Sequence, residues 1–507
     1  MQAISQISEI IGKDVGEITK KIEESAPYEV LILENIPHQT LILLEVTIDE
    51  LPGCRIEENT VRNYLFPKTF SHLLGYTGKI NKEELELLEG YSITDYVGKT
   101  NIEKSYEEFL RGSPGRIEIN KDVFGNILSE RKTSDLEPGN SLVLYLDSGL
   151  QKKIENELQA SIKRVGAKSG AAVAMDPNTG GILAMVSLPN FDSNTFSQGI
   201  STEDFEEIIK NPAKPLFNRA ILGEYATGST IKPLIASAAL EEQIIDPEKL
   251  IFSSGKIEVE HEYDPEIIYT FLDWKPHGWV NMKEAIAVSC NVYFYTVGGG
   301  FEDVKGLGVN KIQNYLSLFG WGEKTGIDLP QENVGLLPDP EWKKEMTGEN
   351  WYVGNTYHLS IGQGYLRATP LQVATAFSAI ANKGKLLKPS IVQKIVDSEG
   401  NTVQSYDPEV IRENFITQGN LEVVREGMKE AVTYGSSVTL NSLPVQVASK
   451  TGTAETGKED FFHNWVTVFA PYDNPEIVLT IVVENVREAQ VAALPIAKQV
   501  LQWYFSK

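Results

Sequence analysis

The stretch from Ser229 to Glu242 limits most strongly what this chain can become. Ile231, Leu234, Ile235, Ala238 and Ala239 recur at helical spacing, so the segment reads as a buried helix. It follows Tyr225-Ala226-Thr227-Gly228 and opens with Ser229 and Lys232 three residues apart. On one helical turn these two share a face and their side chains can meet. A hydroxyl attacks only when something takes its proton, and a partly desolvated lysine can be neutral enough to do so. Gly228 permits a sharp entry, and the first N–H groups of the helix are free where negative charge develops. The pattern is that of a nucleophile with its base; the alternative is a surface serine beside a solvated lysine. Ser253-Ser254-Gly255-Lys256 repeats the spacing, but a Gly/Ser turn cannot open a buried helix.

A chain of 507 residues with 41% hydrophobic content holds two or more domains and a large core. A formal net charge of −24 argues against nucleic acid as partner and against a polybasic membrane-surface patch. Cys54 and Cys290 are too far apart in sequence to imply a disulfide framework. No apolar run reaches 18 residues, and the amino terminus lacks the layout of a signal peptide, so nothing written here spans a bilayer.

Residues 1–140 read as a mixed, charged region. Helices are expected over Glu17–Ser25, Lys82–Leu88 and Ile102–Leu110, and strands over Tyr28–Leu33 and Thr40–Val46. Gly98-Lys99-Thr100 lacks the upstream glycine of a phosphate loop. Pro138-Gly139 and the strand Ser141–Asp147 mark the boundary to a second domain, residues 141–507. There Leu150–Val165 is helical, and Ala171–Asp176 and Gly181–Ser187 flank the hairpin turn Pro177-Asn178-Thr179-Gly180. Met282–Val297, Thr369–Asn382, Leu421–Tyr434 and Ala489–Tyr504 read as helices; Val445–Ala448, His463–Ala470 and Glu476–Val483 read as strands. The order implies an α+β domain with one antiparallel sheet completed by both ends of the domain.

Two further groups stand out. Ser289-Cys290-Asn291 lies within the expected Met282–Val297 helix, where serine and asparagine compete for backbone hydrogen bonds. A hydroxyl there can relay a proton and an amide can hold a peptide group; packing roles are equally open on the residues alone. Lys450-Thr451-Gly452 follows alternating valines, which puts a fixed ammonium on a strand beside Thr451 and Thr453, suited to a carboxylate ligand. Lys324-Thr325-Gly326 repeats the triplet in a turn-rich stretch that is no strand.

Ser229-x-x-Lys232, Ser289-x-Asn291 and Lys450-Thr451-Gly452, in that order, resemble the three motifs of penicillin-recognising serine enzymes. The sequences at 361–372 (I-G-Q-G-Y-L-R-A-T-P-L-Q), 381–384 (A-N-K-G) and 463–471 (H-N-W-V-T-V-F-A-P) resemble class B penicillin-binding proteins. Those at 51–53, 75–78, 97–107 and 110–115 resemble their amino-terminal pedestal, and 188–194 and 273–278 resemble elongation-type members. Thr227 stands where members usually carry proline.

The resemblance implies the penicillin-recognising fold with a pedestal domain, and D,D-transpeptidation of peptidoglycan stem peptides ending in D-Ala-D-Ala during elongation and cell-shape maintenance. Ser229 would attack, Lys232 act as base, Ser289 shuttle the leaving-group proton and Asn291 hold the acyl-side amide. Lys450, Thr451 and Thr453 would receive the terminal carboxylate, Gly452 would admit close approach, and the N–H groups of Ser229 and Thr453 would form the oxyanion hole. Beta-lactams and a SEDS-type glycan polymerase of the elongation complex are the implied partners. Members carry a membrane helix missing here, which implies a native form anchored at the extracytoplasmic face of the bacterial inner membrane. Hydrolysis of the same acyl-enzyme, as a carboxypeptidase or beta-lactamase, is the alternative chemistry; a catalytically silent scaffold or sensor is the alternative of another class.

No cofactor is required for this reaction. Asp273 and His277 are four apart, and Cys290 can point away from the cleft toward the 261–278 loop. Carboxylate, imidazole and thiolate are zinc ligands. With the resemblance to zinc-holding relatives, a structural zinc on Asp273, His277 and Cys290 is expected, with Asp264 as fourth ligand and His261 behind it.

Overall fold

The computed structural model describes residues 2–25, 30–34, 36–56, 61–92, 94–122, 127–261 and 264–506. Its centre is a five-stranded antiparallel sheet made from both ends of the second domain. The strands are β1 (Gly170–Met175), β2 (Ile182–Leu188), β3 (Ala448–Glu455), β4 (Phe461–Ala470) and β5 (Ile477–Arg487). Their order is β3-β4-β5-β1-β2, which leaves β3 on an edge. β1 and the first half of β5 are buried at every position because both faces of the sheet are covered. Ala172, Ala174, Leu479 and Ile481 face helices α1 (Ser148–Val165) and α8 (Ala493–Tyr504), and Ala171, Val173, Val478 and Val482 face the helical core. That core contains α2 (Lys232–Glu241) and α6 (Pro370–Ala381), whose residues are buried all round. Each fully buried valine or leucine contributes about 1.5–3 kcal/mol, so the site elements rest on the most stable part of the molecule.

Most expected elements of the second domain are present. The expected Met282–Val297 helix is instead broken into α3 (Met282–Val288) and α4 (Asn291–Gly299). Helix α5 (Val353–Ser360) and α7 (Gln418–Thr433) complete the frame of the cleft.

The amino-terminal region departs further from expectation. Thr40–Val46 lies in a helix, His38–Thr47, not a strand. A lone strand would leave its N–H and C=O groups unpaired, whereas a helix satisfies its own; Leu44 turns inward while Ile42, Leu43 and Val46 stay exposed. Residues 30–33 carry no regular structure, and 28–29 lie outside the described residues. The expected Ile102–Leu110 helix breaks at Tyr106, between Asn101–Ser105 and Glu107–Leu110. Tyr106 there donates its hydroxyl to Asp328 Oδ2 (2.9 Å), and Asp328 also accepts from the N–H groups of Ile391 and Val392. The break thus pins the pedestal to the second domain.

Candidate active site

Ser229 sits in a 3-10 turn, Gly228–Ile231, and α2 begins only at Lys232. Pro233 is the second helical residue; without an N–H it cannot extend an α pattern back over Ser229. The turn is fastened on every side. Gly228 donates its N–H to Gly362 O (2.9 Å), Trp465 Nε1 donates to Ala226 O (3.1 Å), and Tyr225 and Ala368 exchange backbone bonds of 3.0 Å. Thr227, fully buried, accepts from Thr230 Oγ1 at 2.8 Å. Gly228 has φ +53, and a Cβ there would meet Thr453 O at 2.5 Å. A Cβ at Gly452 would meet Thr227 O at 2.6 Å. The Ser229 turn and the third motif therefore touch through two glycines.

Ser289 occupies the left-handed region, φ 60, as the cap of α3, and Cys290 caps the start of α4. The second motif is therefore a break between helices, not a polar spot inside one. The break aims Ser289 and Asn291 at the buried Lys232, whose Nζ lies 2.8 Å from Ser289 O, 2.6 Å from Asn291 Oδ1 and 3.3 Å from Ser289 Oγ. These contacts go to the second motif; none goes to Ser229. Lys450 Nζ donates to Ser289 Oγ (2.9 Å) and to Thr451 O (3.0 Å). One serine hydroxyl thus stands between two buried lysines.

Burial lowers the Lys232 pKa to about 8, against the pull of Asp273 and Cys290 in the other direction. Burial, and then the charge of Lys232, hold Lys450 well below its ordinary value. Two ammonium groups sharing one hydroxyl repel, so the pair holds its protons jointly.

β3 pairs with β4 over its whole length, Ala448 opposite Phe469 through Glu455 opposite Phe462. Glu455 sends its N–H away from β4, to Gln363 Oε1 at 3.4 Å. By the two-residue period of a strand, Thr453 and Thr451 present their backbone groups on that same open edge. Ser229, second in its turn, has an N–H with no intrahelical acceptor. Thr451 Oγ1 donates to Ser436 Oγ (3.1 Å), and Ser449 Oγ to Ser437 Oγ (2.7 Å), so the loop after α7 backs this strand. Sequence reasoning passed over Gly435-Ser436-Ser437; its only signal was a small polar triplet after a helix.

It also passed over Glu484. This carboxylate ion-pairs with Arg219 (2.7 Å) and accepts from Tyr225 OH (2.6 Å) and Ser169 Oγ (2.7 Å). Tyr225 is the residue from which the Ser229 turn departs, so Glu484 anchors that turn to the central sheet.

Asp273, His277 and Cys290 come together, with one ligand atom of each within 4.8 Å of the others. Cys290 Sγ donates to Asp273 Oδ2 (3.2 Å), and His277 Nε2 lies 3.5 Å from Asp273 Oδ1. The side chains of Asp273 and His277 are 0% and 2% exposed, and His277 Nε2 is buried without a hydrogen bond. Burial and the neighbouring Asp273 raise the Cys290 thiol to about 12. Asp264 does not join them. It pairs with His261 at the far end of the Lys256–His261/Asp264–Leu272 hairpin, exposed, with the length of a strand between it and Asp273. His261 shares that end, and its side chain lies outside the described residues. The polar group beside the cluster is Ser253, whose Oγ donates to Asp273 Oδ2 at 3.3 Å.

The penicillin-binding protein transpeptidase domain profile matches residues 170–502, and the penicillin-binding protein dimerisation domain profile matches residues 1–144. Peptidoglycan D,D-transpeptidase MrdA of Acinetobacter baumannii is 34% identical over 99% of this chain and 75% of its own length. The Escherichia coli protein of the same name is 29% identical over 96% and 78%. Among solved structures, Pseudomonas aeruginosa PBP2 in complex with WCK 5153 superposes with a TM-score of 0.73 at 32% identity, over 89% of this chain and 93% of that one. The Helicobacter pylori PBP2 complex with MreC gives 0.82 at 27% identity, over 100% and 91%.

Proposed function

Because the chain belongs to the penicillin-binding protein transpeptidase family and is a serine-type peptidoglycan D,D-transpeptidase of cell-wall elongation, we propose that Ser229 is its nucleophile. In this reading Lys232, Ser289, Asn291 and Lys450 move the protons and hold the donor peptide. The observation that carries it is Ser289 Oγ, lying between Lys232 Nζ and Lys450 Nζ.

Two of the Lys232 contacts, Ser289 O and Asn291 Oδ1, can only accept. A neutral lysine satisfies both with its two N–H bonds and keeps a lone pair for a hydroxyl proton. The donor stem peptide supplies the trigger. Its terminal carboxylate, received by Lys450, Thr451 and Thr453, favours the ammonium form of Lys450, and repulsion then favours neutral Lys232. Ser229 Oγ gives its proton to Lys232 and bonds to the carbonyl carbon. The oxyanion rests on the N–H groups of Ser229 and Thr453, each worth about 3–4 kcal/mol. The proton passes through Ser289 Oγ to the departing D-alanine nitrogen as the C–N bond breaks, leaving an ester on Ser229. Asn291 Nδ2 binds Leu272 O through one N–H (3.3 Å) and keeps the other for the acyl-side amide. Benzylpenicillin should leave a covalent adduct on the protein that Ser229→Ala lacks. Lys232→Ala should fold yet acylate at least about 10²-fold more slowly; an adduct on the alanine variant at position 229 refutes the nucleophile.

The Asp273, His277 and Cys290 set suits zinc: a buried imidazole nitrogen without a partner, a buried carboxylate and a thiol are zinc donors. A bound dication would stabilise the thiolate and fasten the 273–277 loop to the start of α4. Its part is structural; no step of the reaction passes through it.

Residues 1–140 serve as the pedestal at the extracytoplasmic face of the cytoplasmic membrane, and its partners include a membrane-embedded SEDS-type glycan polymerase of the elongation complex. The exposed apolar row Ile42, Leu43 and Val46 supports a docking role. Leu43→Glu with Val46→Glu should abolish stimulation of that polymerase while penicillin acylation stays at the wild-type rate; unchanged stimulation refutes this surface. No helix among the described residues is long and apolar enough to cross a membrane.

A further inference from the structure

Cross-linking needs a second substrate, and its amine arrives protonated at neutral pH. The lysine pair on Ser289 repels such a cation, so an anion and a proton acceptor must lie elsewhere at the mouth of the cleft. The nearby carboxylates are engaged: Glu484 by Arg219, Tyr225 and Ser169, Asp273 by Cys290 and Ser253, Glu224 by the N–H of Gly335. Two exposed groups are different. Among the described residues, neither the Glu455 carboxylate nor the His358 imidazole has a hydrogen-bond or ion-pair partner.

We propose that His358 and Glu455 form the subsite for the acceptor amine, Glu455 pairing with its ammonium and His358 taking the proton it loses before attack. This rests on the Ser229 acyl-enzyme described above.

The geometry ties both residues to the nucleophile. Glu455 follows Thr453 by two residues, on the same exposed face of β3. Its N–H reaches Gln363 Oε1 (3.4 Å), the Gln363 N–H reaches His358 O (2.9 Å), and the adjacent Gly362 O holds the N–H of Gly228 (2.9 Å). Gln363 therefore bridges the two walls one residue from the contact that fixes the nucleophile turn. Phe271 meets the His358 ring edge-on at 5.7 Å and also packs on Tyr357 (4.9 Å) and Tyr295 (6.0 Å). The next residue, Leu272, holds Asn291 Nδ2 and Tyr295 OH through its carbonyl. The acceptor wall and the donor clamp thus share one strand end. Partial burial lowers the pKa of His358, and Glu455 is near enough to pull it back, so the imidazole enters the reaction neutral.

The step balances. The ammonium, paired with Glu455, gives one proton to His358, and its nitrogen bonds to the ester carbon. The tetrahedral adduct passes a second proton from nitrogen through Lys232 to Ser229 Oγ as the C–O bond breaks. Amide, free serine and imidazolium result, and the imidazolium returns its proton to water.

The test follows one acyl-enzyme to two nucleophiles. The full chain, His358→Gln and Glu455→Gln are each acylated by a thioester analogue of an acyl-D-alanine donor, with D-methionine or hydroxylamine present. D-methionine carries an ammonium at pH 7; hydroxylamine is already neutral. Both variants should acquire the acyl group within about twofold of the wild-type rate, transfer it to D-methionine about 10²-fold more slowly, and keep transfer to hydroxylamine. Unchanged transfer to D-methionine overturns the proposal. So does an equal loss with both nucleophiles, which assigns the pair a structural part. Wild-type protein that forms no ester at Ser229 fails at the earlier step and overturns the nucleophile assignment first.

Discussion

Gly452→Ala tests the contact on which the whole site depends. The backbone at Gly452 has no positive φ, so alanine is conformationally acceptable there, and only the space around it matters. The new Cβ would lie 2.6 Å from Thr227 O and 2.9 Å from Thr230 Cγ2, short of ordinary contact by about 0.8 and 0.5 Å. Thr227 O cannot retreat alone, because it accepts from Thr230 Oγ1, and both residues flank Ser229 in one tight turn. The turn must therefore move as a unit, and a displacement near 1 Å costs about 10²-fold in rate. Overpacking of this size costs about 1–3 kcal/mol in stability, well within what a large core tolerates. Stopped-flow acylation with a fluorescent penicillin reads the first effect, and thermal unfolding reads the second. Gly419→Ala is the matched control: its Cβ meets nothing within 4 Å, and it lies in the first turn of α7. Gly452→Ala acylating within about twofold of wild type, with an unchanged melting temperature, would show that turn and strand do not touch as described.

Two other outcomes follow from the buried groups. Lys232 accepts a proton only when neutral and its pKa is lowered to about 8, so acylation should rise about tenfold per pH unit below that value and level off above it; a flat profile from pH 6 to 9 would remove Lys232 as base. Protein purified without chelator should hold one zinc per chain, and Cys290→Ala should lose it and acylate more slowly with Ser229 untouched; elemental analysis finding no zinc in normally acylating protein would leave Cys290 a packing residue.

The central sheet and its helices were legible because their signal is composition along a continuous segment. Gly170–Met175 is apolar throughout and Ile477–Val483 is apolar but for Thr480, whose hydroxyl pairs with that of Thr467, as suits strands covered on both faces. In the pedestal the same signal misled. Thr40–Val46 is as apolar as a strand, but among the described residues no strand lies beside it to pair with, and the backbone closes its own hydrogen bonds as a helix. Asp264 failed for a related reason. Asp273 and His277 are four positions apart, and the hairpin that begins at Lys256 carries Asp264 to its opposite end. Proximity in sequence is a guide within a turn and a poor one across a strand, where each residue adds about 3.3 Å.

The three motifs were legible in the sequence, but how their side chains are aimed was not, and the second motif shows why. The sequence places serine and asparagine inside one apolar helix, Met282–Val297, where both residue types compete for backbone hydrogen bonds. The same dislike of helical hydrogen bonding is better met by ending the helix: Ser289 takes φ 60 and Cys290 caps the next segment. An unbroken helix turns each residue about 100° from the last, which would set Ser289 and Asn291 on diverging directions. The break turns both toward Lys232, at 3.3 and 2.6 Å, and sends Cys290 behind them to Asp273. The contacts of Lys232 with Ser289 and Asn291 and the contact of Cys290 with Asp273 therefore hang on the same two-residue interruption. Whatever fixes Cys290 and Asp273 also fixes the serine that stands between the two lysines.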